Sequence, residues 1–171
     1  TDLTEVRFSK SLVKIGSNAF SLCRSLSSIT LPNTVVSVGS NAFSGCTNVK
    51  NLTVPGEIGM PSGIPKTVST TVKINPGTKT IRSAAFEEFT GVKEILLPEG
   101  ITSISSSAFA NCQIAEPIRL PTSIQRIEAL AFYGCDAIVN VDLPKAAFIG
   151  EGAFWDCSKL TQAKLSSDLK T

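Results

Sequence analysis

The chain has 171 residues, 42% of them apolar and 18% charged, which excludes a disordered polyelectrolyte and leaves a folded chain with a sizeable core. A formal net charge of +2 is too small to select nucleic acid or an anionic membrane as partner, and no apolar run reaches the length of a membrane span. Histidine is absent, which removes the commonest general base, the commonest metal ligand and every Ser-His or Cys-His arrangement.

Taken in chain order, the first predicted elements are short apolar-x-apolar triplets. They are Val6-Arg7-Phe8, Ile29-Thr30-Leu31, Leu52-Thr53-Val54, Val72-Lys73-Ile74, Ile95-Leu96-Leu97, Ile118-Arg119-Leu120, Val141-Asp142-Leu143 and Ala163-Lys164-Leu165. Their last residues (8, 31, 54, 74, 97, 120, 143, 165) step by 23, 23, 20, 23, 23, 23 and 22. Period-two alternation marks each triplet as a half-buried strand. Three residues make no stable sheet alone, so the repeat predicts one coil per strand, stacked into a continuous parallel sheet. Pro follows directly at positions 32, 55, 98, 121 and 144 and ends the strand, because it has no N–H to give the ladder.

Each coil then turns back through a second pattern. Ala-Phe recurs at 19–20, 42–43, 85–86, 108–109, 131–132 and 153–154, with Phe-to-Phe steps of 23, 43, 23, 23 and 22. The step of 43 is two coils, one shortened. Five residues before each Phe stands Ile15, Val38, Ile81, Ile104, Ile127 or Ile149. Three residues after it comes Cys23, Cys46, Cys112, Cys135 or Cys157, with Phe89 in the Cys place of one copy. A further apolar position follows at Leu26, Val49, Val92, Ile138 and Leu160. This spacing suits either a short helical turn or a second irregular strand. The fold class expected is therefore α/β: a solenoid of parallel sheet with one short strand per coil of about 23 residues and short helical or irregular convex segments. Ala is small where coils crowd, Phe fills the core, and Cys serves as a buried free thiol. A line of thiols suits neither zinc nor disulfide geometry.

The Ile-Thr-Leu-Pro run followed by apolar-x-x-apolar and Ala-Phe-x-x-Cys resembles the BspA-type leucine-rich repeat, and five copies in register make the resemblance specific. It covers nearly the whole chain as about seven coils, read as a single solenoid domain over 1–171 with a degenerate coil at 55–71. The resemblance implies a right-handed solenoid in a secreted or cell-surface protein, bacterial or from protozoan relatives, with adhesion as its role and usually a place in a longer modular protein. A chain that starts at Thr1 and holds one methionine, Met60, reads as a trimmed piece whose signal peptide has been removed.

The outward residues of the triplets form a ladder of Arg7, Thr30, Thr53, Lys73, Leu96, Arg119, Asp142 and Lys164, beside a second that includes Asn51, Glu94 and Asn140. In leucine-rich repeats this face is concave and carries most ligand contacts. These residues are the candidate site, and Lys73, Arg119 and Lys164 favour an acidic protein or a glycan, including host matrix or cell-surface components. A structural spacer within a larger surface protein is the alternative. No catalytic residue, metal site or cofactor is expected, and the chain is read as a monomer or weak end-to-end dimer. Ser11-Leu-Val-Lys14 matches Ser-x-x-Lys of penicillin-recognising enzymes without its partner motifs. The Gly/Pro-rich stretch 55–65 reads as a loop in which Ile58, Met60 and Ile64 either form a sticky tip or, the favoured reading, cover the core of a damaged coil. Trp155 is either a surface anchor or packs on the last coil.

Overall fold

The computed structural model describes residues 2–167 and 169. Thr1, read above as a trimmed start, lies outside the described residues, as do positions 168, 170 and 171. The strands are β1 (Lys14–Ile15), β2 (Ser28–Thr30), β3 (Ser37–Val38), β4 (Asn51–Val54), β5 (Thr70–Ile74), β6 (Thr80–Ile81), β7 (Val92–Leu96), β8 (Ser103–Ile104), β9 (Arg126–Ile127), β10 (Asn140–Leu143), β11 (Phe148–Ile149) and β12 (Gln162–Leu165). They form two parallel ladders on different sides of a solenoid of about seven coils. The main ladder runs β2-β4-β5-β7 and resumes as β10-β12, and the second runs β1-β3 and then β6-β8-β9-β11. Coil numbers below follow the triplets, so coil 1 begins at Val6 and coil 7 at Val141.

Six of the eight predicted triplets lie in or overlap strands. Val6-Arg7-Phe8 does not become a strand, and only the residue before it, Glu5, bridges to Ser28. Ile118-Arg119-Leu120 does not become a strand, and the main ladder is interrupted there. Pro117 occupies the place held by Asn51 in β4 and Glu94 in β7, and it has no N–H to donate. The side-chain alternation survives the lost bonds, because Ile118 is still buried.

The expected α/β class is corrected: no helix occurs among the described residues, and the fold is a β-solenoid. The backbone shows why. Residues two before and two after each core Phe adopt positive φ, for instance Asn18 and Leu22, Ser107 and Asn111, and Leu130 and Gly134. A left-handed residue every fourth position cannot propagate an α-helix. Alternate N–H groups are instead turned along the solenoid axis. Phe20 N–H donates to Ala42 O, Phe86 to Ala108 O and Phe109 to Ala131 O, each at 2.8 Å. The N–H groups between them close i→i−3 turns, as Cys112 N–H does to Phe109 O at 3.2 Å.

The core is a continuous column of the predicted positions. Phe43, Phe86, Phe109 and Phe132 have no exposed surface, and Ala42, Ala85, Ala108, Ala131 and Ala153 are buried beside them. Successive rings stack nearly parallel, with Phe109 and Phe132 centroids 5.1 Å apart. All five cysteines are buried and unbridged. The Cys46 thiol donates to Phe20 O at 3.3 Å and that of Cys157 to Phe132 O at 3.0 Å, so the thiol column also ties coils together. Burial pushes the Cys135 thiol up to about 12, which keeps it protonated.

Candidate functional site

The main ladder sets the candidate face by register. Inward residues such as Ile29, Leu52, Val72 and Ile95 are buried. The side chains between them must then point out, because successive residues of a strand alternate faces. Ser28, Asn51, Thr71 and Glu94 align as one outward row. Thr30, Thr53, Lys73 and Leu96 align as the next. The structure therefore brings together Thr30, Asn51, Thr53, Lys73, Glu94 and Leu96 on one uninterrupted four-stranded sheet. Glu94 and Thr53 are half-buried on that face, and Lys73 stands exposed next to Leu96, which keeps 42% of its surface.

The remaining predicted residues stand elsewhere on the same side. Asn140 pairs in register with Gln162, and Asp142 with Lys164, on the β10-β12 sheet. These four residues line a shallow depression of about 460 Å³. Arg119 is exposed on the interrupted coil between the two sheets. Arg7 lies before the first strand of the ladder, and its Nε donates to Glu5 Oε1 at 2.8 Å. That contact holds the Glu5 carboxyl below its ordinary range, chiefly through the hydrogen bond and then through the charge.

This geometry sharpens the basic character expected of the face. Arg7 is engaged by Glu5, and Lys164 has Asp142 directly opposite. Lys73 and Arg119 make no ion pair among the described residues, so the unopposed positive charge sits at the centre. No group of side chains suited to hold a metal ion, and no helix long and apolar enough to cross a membrane, occurs among the described residues.

Other candidates resolve clearly. Ile58, Met60 and Ile64 are buried, as expected of residues covering a damaged coil. Trp155 is 68% exposed and lies 5.6 Å from the Tyr133 ring, so it projects from the last coil while touching its neighbour. Ser11 Oγ is 2.8 Å from Ser9 Oγ, and Lys14 lies on β1.

Sequence reasoning missed the second ladder as a surface. Its outward positions include Lys14, Thr80, Ser103 and Arg126. Arg126 pairs with Glu128 and also lies 4.0 Å from the centre of the Phe148 ring. The signal was present: the residue before each Ile of the second pattern is polar in five of the six copies, as alternation requires (Lys14, Ser37, Thr80, Ser103 and Arg126, against Phe148). The left-handed columns were legible too, in Asn18, Asn41 and Gly152 before the Phe and in Gly45, Asn111, Gly134 and Asp156 after it.

Comparison with known proteins agrees with this geometry. The chain is similar over 92% of its length to the pneumococcal vaccine antigen PcpA, at 28% identity and a TM-score of 0.54, and covers 43% of that chain. A leucine-rich cell surface protein from Faecalibacterium prausnitzii is 23% identical with a TM-score of 0.52, over 93% of this chain and 52% of the other. A leucine-rich repeat protein from Bacteroides ovatus is 20% identical with a TM-score of 0.60, over 95% of this chain and 55% of the other. The latter two likenesses bear on fold alone. The chain thus spans about half the length of these solved structures. No curated protein matches it closely enough to count as a relative. The profile described as BspA type Leucine rich repeat region matches six copies over residues 1–60 and 66–171. With that profile over nearly every coil, the chain belongs to the BspA-type leucine-rich-repeat family.

Proposed function

We propose that this chain is a secreted or cell-surface binding module that holds a protein or glycan ligand on the main sheet face, in the setting of adhesion to host or matrix components. The observation that carries the reading is the register of β2, β4, β5 and β7. It fixes Thr30, Thr53, Lys73 and Leu96 in one row and Asn51 and Glu94 in the next, with the central strands β4 and β5 paired on both sides. Side chains held this way lose little freedom on binding, so more of the contact energy appears as affinity. Lys73 and Arg119 supply unopposed positive charge, and Leu96 supplies an apolar contact beside it. The surface setting is supported by a neighbour of this architecture that is described as a pneumococcal vaccine antigen.

The test is affinity capture from host matrix and cell-surface proteins, with the chain beside a Lys73→Glu, Arg119→Glu, Lys164→Glu variant. All three side chains are exposed, so the variant keeps its fold. A partner held by the chain and lost by the variant supports the reading. A partner held equally by both moves the site off this face, and no partner for either favours a spacer role.

A further inference from the structure

Coil 3 lacks a rung, and the gap it leaves has the chemistry of a peptide groove. In regular coils a step of seven residues leads from the end of the triplet to the second ladder, as from Leu31 to Val38, Ile74 to Ile81 and Leu97 to Ile104. In coil 3 a step of only two leads from Val54 to Gly56, whose carbonyl accepts Arg82 N–H at 3.1 Å just as Ile81 O accepts Ser105 N–H at 2.9 Å. The chain has skipped the corner and runs close against coil 4. A Cβ added at Gly56 would stand 2.7 Å from Thr80 O, so only glycine permits this approach.

The consequence falls on β3. At its two carbonyl positions the other coils pass bonds onward. Val13, Lys79, Thr102 and Gln125 carbonyls accept N–H groups from Val36, Thr102, Gln125 and Ala147, at 2.8 to 2.9 Å. Ile15, Ile81, Ile104 and Ile127 carbonyls do the same for Gly39, Ser105, Glu128 and Gly150. Val36 and Val38 hold these places in coil 2, and no N–H of coil 3 reaches them among the described residues. The free edge of β3 opens onto two adjoining depressions of about 360 and 340 Å³ that share Val36, Glu57 and Ile58. Ile58 forms a nearly buried apolar floor, while Val36 is 66% exposed on the wall.

The groove is held open by a polar clasp. Asn75 Nδ2 donates to Leu31 O at 2.9 Å and to Asn33 Oδ1 at 2.7 Å, and Asn33 Nδ2 donates to Pro76 O at 3.1 Å. Coils 2 and 4, which are not neighbours in the stack, are thus fixed to each other at the skipped corner. Below it, Arg82 Nε donates to Ile58 O at 2.6 Å and keeps the floor against coil 4, away from β3.

We infer that this groove is a second binding site, which takes an extended peptide of a partner protein by strand addition to the free edge of β3. Two carbonyls two residues apart, beside an apolar floor, match the N–H spacing and alternating side chains of a strand. The peptide would set an aliphatic or β-branched side chain on Ile58 and polar ones toward Glu57 and solvent. This site lies on a different side of the coil from the main sheet face and does not depend on it.

The experiment uses a synthetic peptide of this chain's own sequence 122–130, Thr-Ser-Ile-Gln-Arg-Ile-Glu-Ala-Leu, which forms a regular rung in coil 6. It is titrated into the whole chain and followed by amide chemical shifts. Saturable binding is expected, with shifts gathered at 33–38, 56–62 and 78–82. N-methylation of the peptide's central amides should weaken it about tenfold or more, the worth of one or two backbone hydrogen bonds. Val36→Arg, at an exposed position, should weaken it similarly. A variant with five residues inserted after Pro55 to rebuild the rung should stay folded by circular dichroism and lose the binding. Absence of saturable binding, equal binding of the N-methylated peptide, or binding that persists in the rebuilt variant by addition to the solenoid ends would each overturn the proposal.

Discussion

Coils 4 to 7 and coil 3 fill the same core in two ways. In the former, Phe86, Phe109, Phe132 and Phe154 stack at 5.1 to 5.4 Å, close to the spacing of parallel strands, so ring thickness and backbone ladder agree. In coil 3 Met60 takes the Phe place, its N–H donating to Ala85 O at 2.9 Å, and the aromatic column is broken between Phe43 and Phe86. Its neighbours are then joined by the amides of Asn33 and Asn75 rather than by a further rung. A solenoid therefore tolerates a shortened coil if a flexible side chain fills the core and polar groups bridge the missing corner.

The comparison can be broken in measurable ways, taken from the largest effect down. The Cys135 thiol, in a regular coil and pushed up to about 12, should alkylate at pH 8 roughly a thousandfold more slowly in the native chain than in urea. Equal rates would mean that the coil opens readily. Phe109→Ala removes a ring from the middle of the stack and should cost about 3–5 kcal/mol in urea unfolding, whereas Met60→Ala should cost about 2 kcal/mol. Similar losses at the two positions would show that ring stacking is not what distinguishes the regular coils. Asn75→Ala leaves Leu31 O and Asn33 without their donor and should cost about 1–3 kcal/mol, with amide exchange quickened at 31–38 and 75–82. A neutral result would remove the clasp from the account of coil 3. Lys66→Ala breaks the ion pair to Glu88, but both side chains are more than half exposed, so the Tm should not move. A clear drop would mean that charge also holds coil 3 to coil 4.

Position in the repeat decided most of what could be read directly. Phe109, Cys112, Ile104 and Ala108 are buried because their spacing admits only one inward face per coil. The outward rows at Thr30, Thr53, Lys73 and Leu96 followed from the same alternation. Bonds between coils were less legible. The turn around Ala-Phe spaces its apolar residues much as a helical turn would, and only the positive φ at Asn18, Leu22 and their counterparts separates the two. Leu130 and Glu88 show the limit, since neither residue type advertises a left-handed backbone, yet both adopt one because the stacked neighbours hold their N–H groups.

The amino-acid order by itself determined the period, the inward face and the family, because burying one stripe per coil leaves a periodic trace that no neighbour can alter. Only the tertiary structure decided which rungs close. Pro117 opens the main ladder, the skipped corner at Gly56 opens the second, and Glu5 and Asp142 offset two of the four basic residues on the outer row. The physical reason is that a hydrogen bond or an ion pair belongs to two coils at once, so its presence depends on a register that neither coil carries alone.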